Sequence, residues 1–193
     1  MPSSRLCSLL VCAWLSTVAS AVGQEGGAAK SADEQLVQLM DAEFEASMRA
    51  FPTWASARGD RRYDALLTDQ SPQAVQARLG DTRKRLASLG QIKRADLSPA
   101  NGVNAALFEH ELKRRLEGAK FQGWQQPINQ LGGPQRSLPQ MPKRMTFKTP
   151  KQREDFLLRL EAIPAYLAQT VANLEAGLKA GRTPPKTVMG EVA

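Results

Sequence analysis

The stretch from Thr149 to Gly181, TPKQREDFLLRLEAIPAYLAQTVANLEAGLKAG, decides the fold class of this chain. Thr149 stands before Pro150 and three residues ahead of Gln152. That spacing starts a helix: the hydroxyl can accept the third backbone N–H, the glutamine can reach back, and proline sacrifices no hydrogen bond at a first helical position. Phe156, Leu157, Leu160 and Ile163 recur at helical separations and predict an apolar side. Pro164 interrupts or kinks the pattern. Leu167, Val171, Leu174 and Leu178 carry a similar face to Gly181, whose missing side chain suits a left-handed C-cap.

The same signals recur on the N-terminal side. Ser31-Ala32-Asp33-Glu34 reads as a capping box ahead of Leu36, Met40, Phe44 and Met48, with Leu39 widening the face and Pro52 closing it. Ser71 with Pro72 starts a second helix, whose buried face takes Val75, Leu79, Leu86 and Leu89. Ser98 with Pro99 starts a third, carrying Leu107, Phe108, Leu112 and Leu116 and ending near Gly118. Beyond Gly181, Pro184-Pro185 marks a turn before a further helix could begin. No fixed-period repeat and no strand alternation competes, so the predicted class is all-α.

Two connections separate these helices. FPTWASARGDRRYDALLTDQSP, residues 51–72, offers Trp54 for packing, Gly59 for a bend and the charged run Asp60-Arg61-Arg62. GWQQPINQLGGPQRSLPQMPKRMTFKTP, residues 123–150, holds proline and glycine too often for a long helix or a central strand. A connection of that length is uncommon without a binding or covering role. Trp124, Ile128, Leu131, Leu138, Met141 and Phe147 give it apolar surface, which predicts a packed Pro/Gly-rich loop.

The chain has 193 residues and a formal net charge of +7. Residues 1–21 read as a signal peptide, with Arg5 as a short basic start, an apolar run from Leu6 to Val18, and Ala19-Ser20-Ala21 as the cleavage site. Removing this segment would take away one arginine and both cysteines, Cys7 and Cys12, leaving 172 residues at +6. The expected product is exported to the bacterial periplasm or beyond. It has a flexible terminus over 22–30, a helical region over 31–190, no disulfide and no transmembrane segment.

Candidate chemistry is sparse. His110-Glu111 is the start of a zinc-peptidase HExxH pattern, but position 114, where the second imidazole belongs, is arginine, and the chain has no other histidine. The pairs Asp41/Glu43, Glu109/Glu111 and Glu154/Asp155 read as solvated helix faces, because acid–base work requires convergence in a cleft. Basic residues are dispersed through Arg61/Arg62, Arg83/Lys84/Arg85, Lys113/Arg114 and Lys143/Arg144 without a nucleic-acid motif. No catalytic, cofactor-binding or metal-binding residue is assigned. Asp60, Arg61, Asn129, Gln130, Gly132 and Gly133 remain as substrate-channel or structural-loop candidates, for which turn geometry and local hydrogen bonding are the simpler explanation.

PTWASARGDRRYDALLTDQSP, NGVNAALFEHELKRRLE, PINQLGGPQRSLPQMP, FKTPKQREDFLLRLEAIPAYL and LEAGLKAGRTPP, in that order, resemble the N-terminal part of the bacterial domain-of-unknown-function 885 family over roughly residues 31–190. The resemblance implies a longer, exported, mostly helical protein similar to zinc metallopeptidases, whose HExxH-type helix lies downstream of the part seen here. It therefore implies an incomplete part of a larger helical metallopeptidase-like fold. The implied role is that of a scaffold or substrate-channel region without hydrolytic activity of its own. Zinc and a peptide substrate belong to a complete longer relative. A noncatalytic helical binding or interaction protein of the bacterial envelope is the alternative.

Overall fold

The computed structural model describes residues 30–190 and 192. The expected signal peptide and nearly all of the expected flexible terminus lie outside the described residues. Those that are described form an all-α structure. Helices α1 (Ala32–Ala50), α3 (Pro72–Gln91) and α4 (Pro99–Gly118) pack on one another, and the short α2 (Pro52–Ala57) follows α1 directly. After α4 come the short α5 (Pro134–Gln140), the consecutive α6 (Pro150–Glu161) and α7 (Ile163–Lys179), and the final α8 (Lys186–Gly190).

Helix starts follow the sequence closely. Both expected capping boxes form, at Ser31 with Glu34 and at Thr149 with Gln152. Ser71 accepts from the Ala74 N–H and Ser98 from that of Asn101, so each side chain satisfies an N–H that the helix cannot. Pro52 ends the α1 pattern and also opens α2 from its first turn, a use the apolar spacing did not announce. Pro164 falls in the first turn of α7, so it divides α6 from α7 and does not kink a single helix. Gly59, expected at a bend, takes φ of +87°, and Gly181, expected as a left-handed cap after α7, takes φ of +68°.

The three long N-terminal helices enclose a core of Leu36, Leu89, Ile92, Ala105 and Leu112, with Leu39, Met40, Leu86 and Phe108 packed around it. Two expected core residues, Phe44 of α1 and Leu107 of α4, face outward. The 123–149 connection is packed, as expected, but it is not structureless. It holds α5 and single 3₁₀ turns at Gly123–Gln125 and Met141–Arg144, and it buries Pro134, Met141 and Met145. Trp124, Ile128 and Leu138 are half-buried, whereas Leu131 and Phe147 are exposed.

The α6–α7 pair departs from the expected orientation at five of the eight apolar positions expected to face inward, while Phe156, Ile163 and Leu174 are half-buried. Leu157 is 58% exposed and Leu178 is 68% exposed, and Leu160, Leu167 and Val171 also face outward, while Arg159 is 0% exposed. Asp155, Thr170, Asn173 and Gly177 are buried with Arg159 on the inner side. The reason lies in what that side meets. Irregular backbone carries N–H and C=O groups that must find partners when buried, and leucine has none to offer. Arg159 donates to the Tyr63 carbonyl at 2.7 Å, and Asn173 Nδ2 donates to the Gln70 carbonyl at 2.8 Å. The Gln169 side chain accepts from the Gln70 N–H at 2.8 Å and donates to Asp69 at 3.0 Å.

Candidate functional site

The residues singled out from the sequence are held by nearby structure. Asp60 accepts from both the backbone and the guanidinium of Arg62, which also forks onto Glu45 at 2.8 and 3.0 Å. The Arg62 guanidinium holds the Asp60 carboxyl below its ordinary range, and its separate hydrogen bonds to Glu45 lower that carboxyl as well. Arg61 donates to the Arg144 carbonyl at 3.1 Å, tying the first connection to the second. Asn129 Oδ1 accepts from the N–H groups of Leu131 and Gly132, both at 2.8 Å, and closes a tight turn. The Gln130 carbonyl accepts from Arg136, and Gly133, at φ +133°, leads into α5. Asn129, Gln130, Gly132 and Gly133 thus form one self-bonded turn, while Asp60 and Arg61 sit in separate contacts on the first connection.

Sequence reasoning missed a buried ion pair at the seam between that connection and α6. Asp64 and Arg159 both have closed side chains, with Arg159 Nη2 lying 3.8 Å from Asp64 Oδ1. The Ser56 hydroxyl donates to the Asp64 carboxylate and lies 3.0 Å from the Pro52 carbonyl. Arg159 also reaches the Met145 sulfur at 3.6 Å, and burial lowers its pKa against the opposing pull of Asp64. A cavity of about 40 Å³ adjoins Arg159, Tyr166 and Arg144, which is far below the volume of a substrate site.

The large concavity lies elsewhere, between α1, α3 and the end of α4. It measures about 560 Å³, and Phe51, Val75, Leu79 and Trp124 contribute to its apolar lining. Glu43, read from sequence as part of a solvated face, is buried at its edge. Its carboxylate takes Arg85 Nε of α3 at 2.9 Å, Arg115 of α4, and the Ser47 hydroxyl at 3.0 Å, so one side chain of α1 ties both neighbouring helices. Asp155 departs from the expected solvated face in the same way: it is buried and accepts from Lys151 with both oxygens at 2.8 Å. Two further arginines, Arg49 and Arg78, line the groove; Arg78 donates to the Asp69 carbonyl at 2.8 Å, with its guanidinium carbon 5.7 Å from the Phe51 ring centre. Burial lowers the Arg78 pKa, and the nearby Asp69 charge opposes that shift.

A family model described as "Bacterial protein of unknown function (DUF885)" matches residues 52–193. This chain belongs to the DUF885 family. No curated protein and no solved structure matched it. The matched span begins at Pro52, so α1, with its capping box and Glu43, precedes it.

The described part of this DUF885 chain does not fit a zinc centre. His110 is exposed, and Glu111 is engaged by Arg114 at 2.9 Å and Arg115 at 3.0 Å, with Arg114 foremost in holding its carboxyl below the ordinary range. An arginine stands where a second imidazole would be required. Among the described residues, no three His, Cys, Asp or Glu side chains converge as a metal-holding group. None of the described helices is long and apolar enough to cross a membrane.

Proposed function

We propose that this DUF885 chain is an exported helical scaffold that forms part of a substrate-channel wall in a longer zinc-metallopeptidase-like protein, and that it does not hydrolyse peptides by itself. The observation that carries this reading is the outward stripe of Leu157, Leu160, Leu167, Val171 and Leu178 on α6 and α7. Both helices already use their inner side to satisfy connection backbone, so the stripe is a second packing face on a pair fixed from behind. Aliphatic rows at helical spacing are stabilised by burial against another helix at about 25 cal/mol per Å² of apolar surface. Further helices of the same polypeptide are the occupant proposed for it. Peptide cleavage, zinc and export are ascribed to that larger protein through the family resemblance.

The direct test is the intact mass of the endogenous product, captured through an epitope placed after Ala21. A mass well above that of residues 22–193 supports the scaffold reading, and a metal centre should then be sought in the additional sequence. A mass equal to 22–193, in a protein that remains monomeric and folded, moves the assignment to a noncatalytic envelope binding protein. The groove between α1, α3 and α4 is the observation that favours this second reading.

A further inference from the structure

The groove has unequal polar groups. Where Glu43 meets Arg85 and Arg115, the charges are matched and the carboxylate also has the Ser47 hydroxyl. That cluster is a finished structural tie with little left to offer a ligand. Arg78 differs. Its guanidinium has five N–H donors in a rigid fork, and its one hydrogen bond among the described residues goes to the neutral Asp69 carbonyl. No carboxylate of the described residues forms an ion pair with it, although it is half-buried beside Phe51. Arg49, at the last turn of α1, lines the same groove and likewise has no ion-pair partner among the described residues.

A half-buried guanidinium that feels the Asp69 charge from nearby but forms no ion pair keeps most of its hydrogen-bonding fork unused. An incoming carboxylate can take two parallel N–H bonds from such a fork, and the low-polarity surroundings strengthen them. Beside it, Val75, Leu79, Phe51 and Trp124 provide the apolar and aromatic lining for the remainder of a ligand. The volume of about 560 Å³ lies within the ordinary range for small-molecule sites.

We propose that this groove binds small ligands that join a carboxylate to an apolar body, with Arg78 receiving the carboxylate, Arg49 adding positive potential, and Trp124 packing on the apolar part. This site does not rest on the scaffold reading, because its walls come from α1, α3, α4 and the turn after α4, away from the α6–α7 leucine stripe. A peptide C-terminus and a short acyl chain share the required chemistry. The groove carries no catalytic assignment.

The full chain should be titrated with N-acetylphenylalanine and with octanoate, each paired with its amide, and with inorganic phosphate, while the indole N–H resonances are followed by NMR. Trp54 is an internal reference, since it lies outside the groove lining with the Arg58 guanidinium 3.5 Å above its ring. The expected result is a saturable shift of the Trp124 indole, with at least one carboxylate binding about tenfold more tightly than its amide. Whichever carboxylate shows that preference identifies the source of the ligand class. Arg78→Gln is expected to abolish the preference while leaving weak binding of the apolar body. Equal binding of acid and amide, phosphate binding as tight as either carboxylate, or a full preference retained in a folded R78Q protein would overturn the proposal. The unmodified chain supplies a decisive arm even if R78Q does not fold: absence of a saturable Trp124 shift with both carboxylates also overturns it.

Discussion

The Gln125 carbonyl oxygen lies 2.5 Å from the point a Cβ on Gly177 would occupy. Gly177 is buried inside α7, and the turn at Gly123–Gln125 rests directly on the helix at the place where it has no side chain. Arg182 strengthens the contact from beyond the helix, donating to Gln125 Oε1 at 3.0 Å. The close approach links the second connection to the inner side of the α6–α7 pair.

Gly177→Ala is therefore expected to destabilise the protein by about 1–3 kcal/mol, although alanine is the better helix former. The obstacle is backbone, which cannot turn aside as a flexible side chain would. Gly80, inside α3, has nothing within 4 Å of the place a methyl group would take and gives the opposite expectation. Gly80→Ala should stabilise by about 0.5–1 kcal/mol. Urea midpoints of the two variants should move in opposite directions, and a stabilising G177A would show that the turn is not held against α7.

Asp64 and Arg159 predict a strongly coupled pair. Replacing Arg159 by methionine leaves the buried Asp64 carboxylate with only the partly exposed Arg61, 3.6 Å away, and replacing Asp64 by asparagine leaves a buried guanidinium without its ion-pair partner. Each single change is expected to cost about 3–5 kcal/mol. The double variant should cost less than the sum, with a coupling of roughly 0.5–3 kcal/mol in a double-mutant cycle. Additive losses would mean that Arg159 acts through its bond to the Tyr63 carbonyl alone.

These residues also show what the sequence could and could not disclose. Ser31, Ser71, Ser98 and Thr149 announced helix starts because capping depends on local spacing, and each side chain bonds within its own first turn. The inward side of α6–α7 depends on what packs against it, which local spacing does not contain. Apolar periodicity placed Leu157, Leu160, Leu167, Val171 and Leu178 inward when they face outward, and only Phe156, Ile163 and Leu174 of that pattern are half-buried. The available warning was the row Arg159, Asn173 and Gly177: asparagine and glycine are poor helix formers, and their place in a helix interior signals bonding or close approach. Glu43 was hidden for a similar reason, since its two arginine partners come from other helices. Among the candidates, Asn129 and Gly132 did turn out to share a turn, which an Asn followed by paired glycines signals locally.

The leucine stripe yields an expectation opposite to that for an ordinary core. Leu157→Gln and Leu178→Gln should each leave the stability of this chain within about 0.5 kcal/mol, because the side chains are already largely in water. Both should reduce binding of a hydrophobic-surface dye and any self-association. In a longer product whose further helices cover the stripe, the same substitutions are expected to cost about 2–5 kcal/mol. Denaturant midpoints of the two lengths, measured side by side, separate a covered stripe from a solvated one.

Acid should weaken the attachment of α7 to the first connection through Asp69. The Ser71 backbone N–H, followed by the Ser71 side chain, holds the Asp69 carboxyl below its ordinary value of 3.8, with Gln169 and the Arg78 charge adding to the effect. A carboxyl depressed on folding binds its proton less readily in the folded state than in the unfolded state. Its contribution is fully present above the unfolded value and is lost as the pH falls from 3.8 through the lower folded value. Asp69→Asn keeps an oxygen for the Ser71 N–H but removes the charge. Its stability should be lower at neutral pH, and its loss on acidification should be shallower than that of the unmodified protein below about pH 5. Urea midpoints measured down to about pH 3 provide the comparison. Parallel curves for the two proteins would remove Asp69 from the acid response and leave it to other depressed carboxyls, such as those of Glu109 and Glu111.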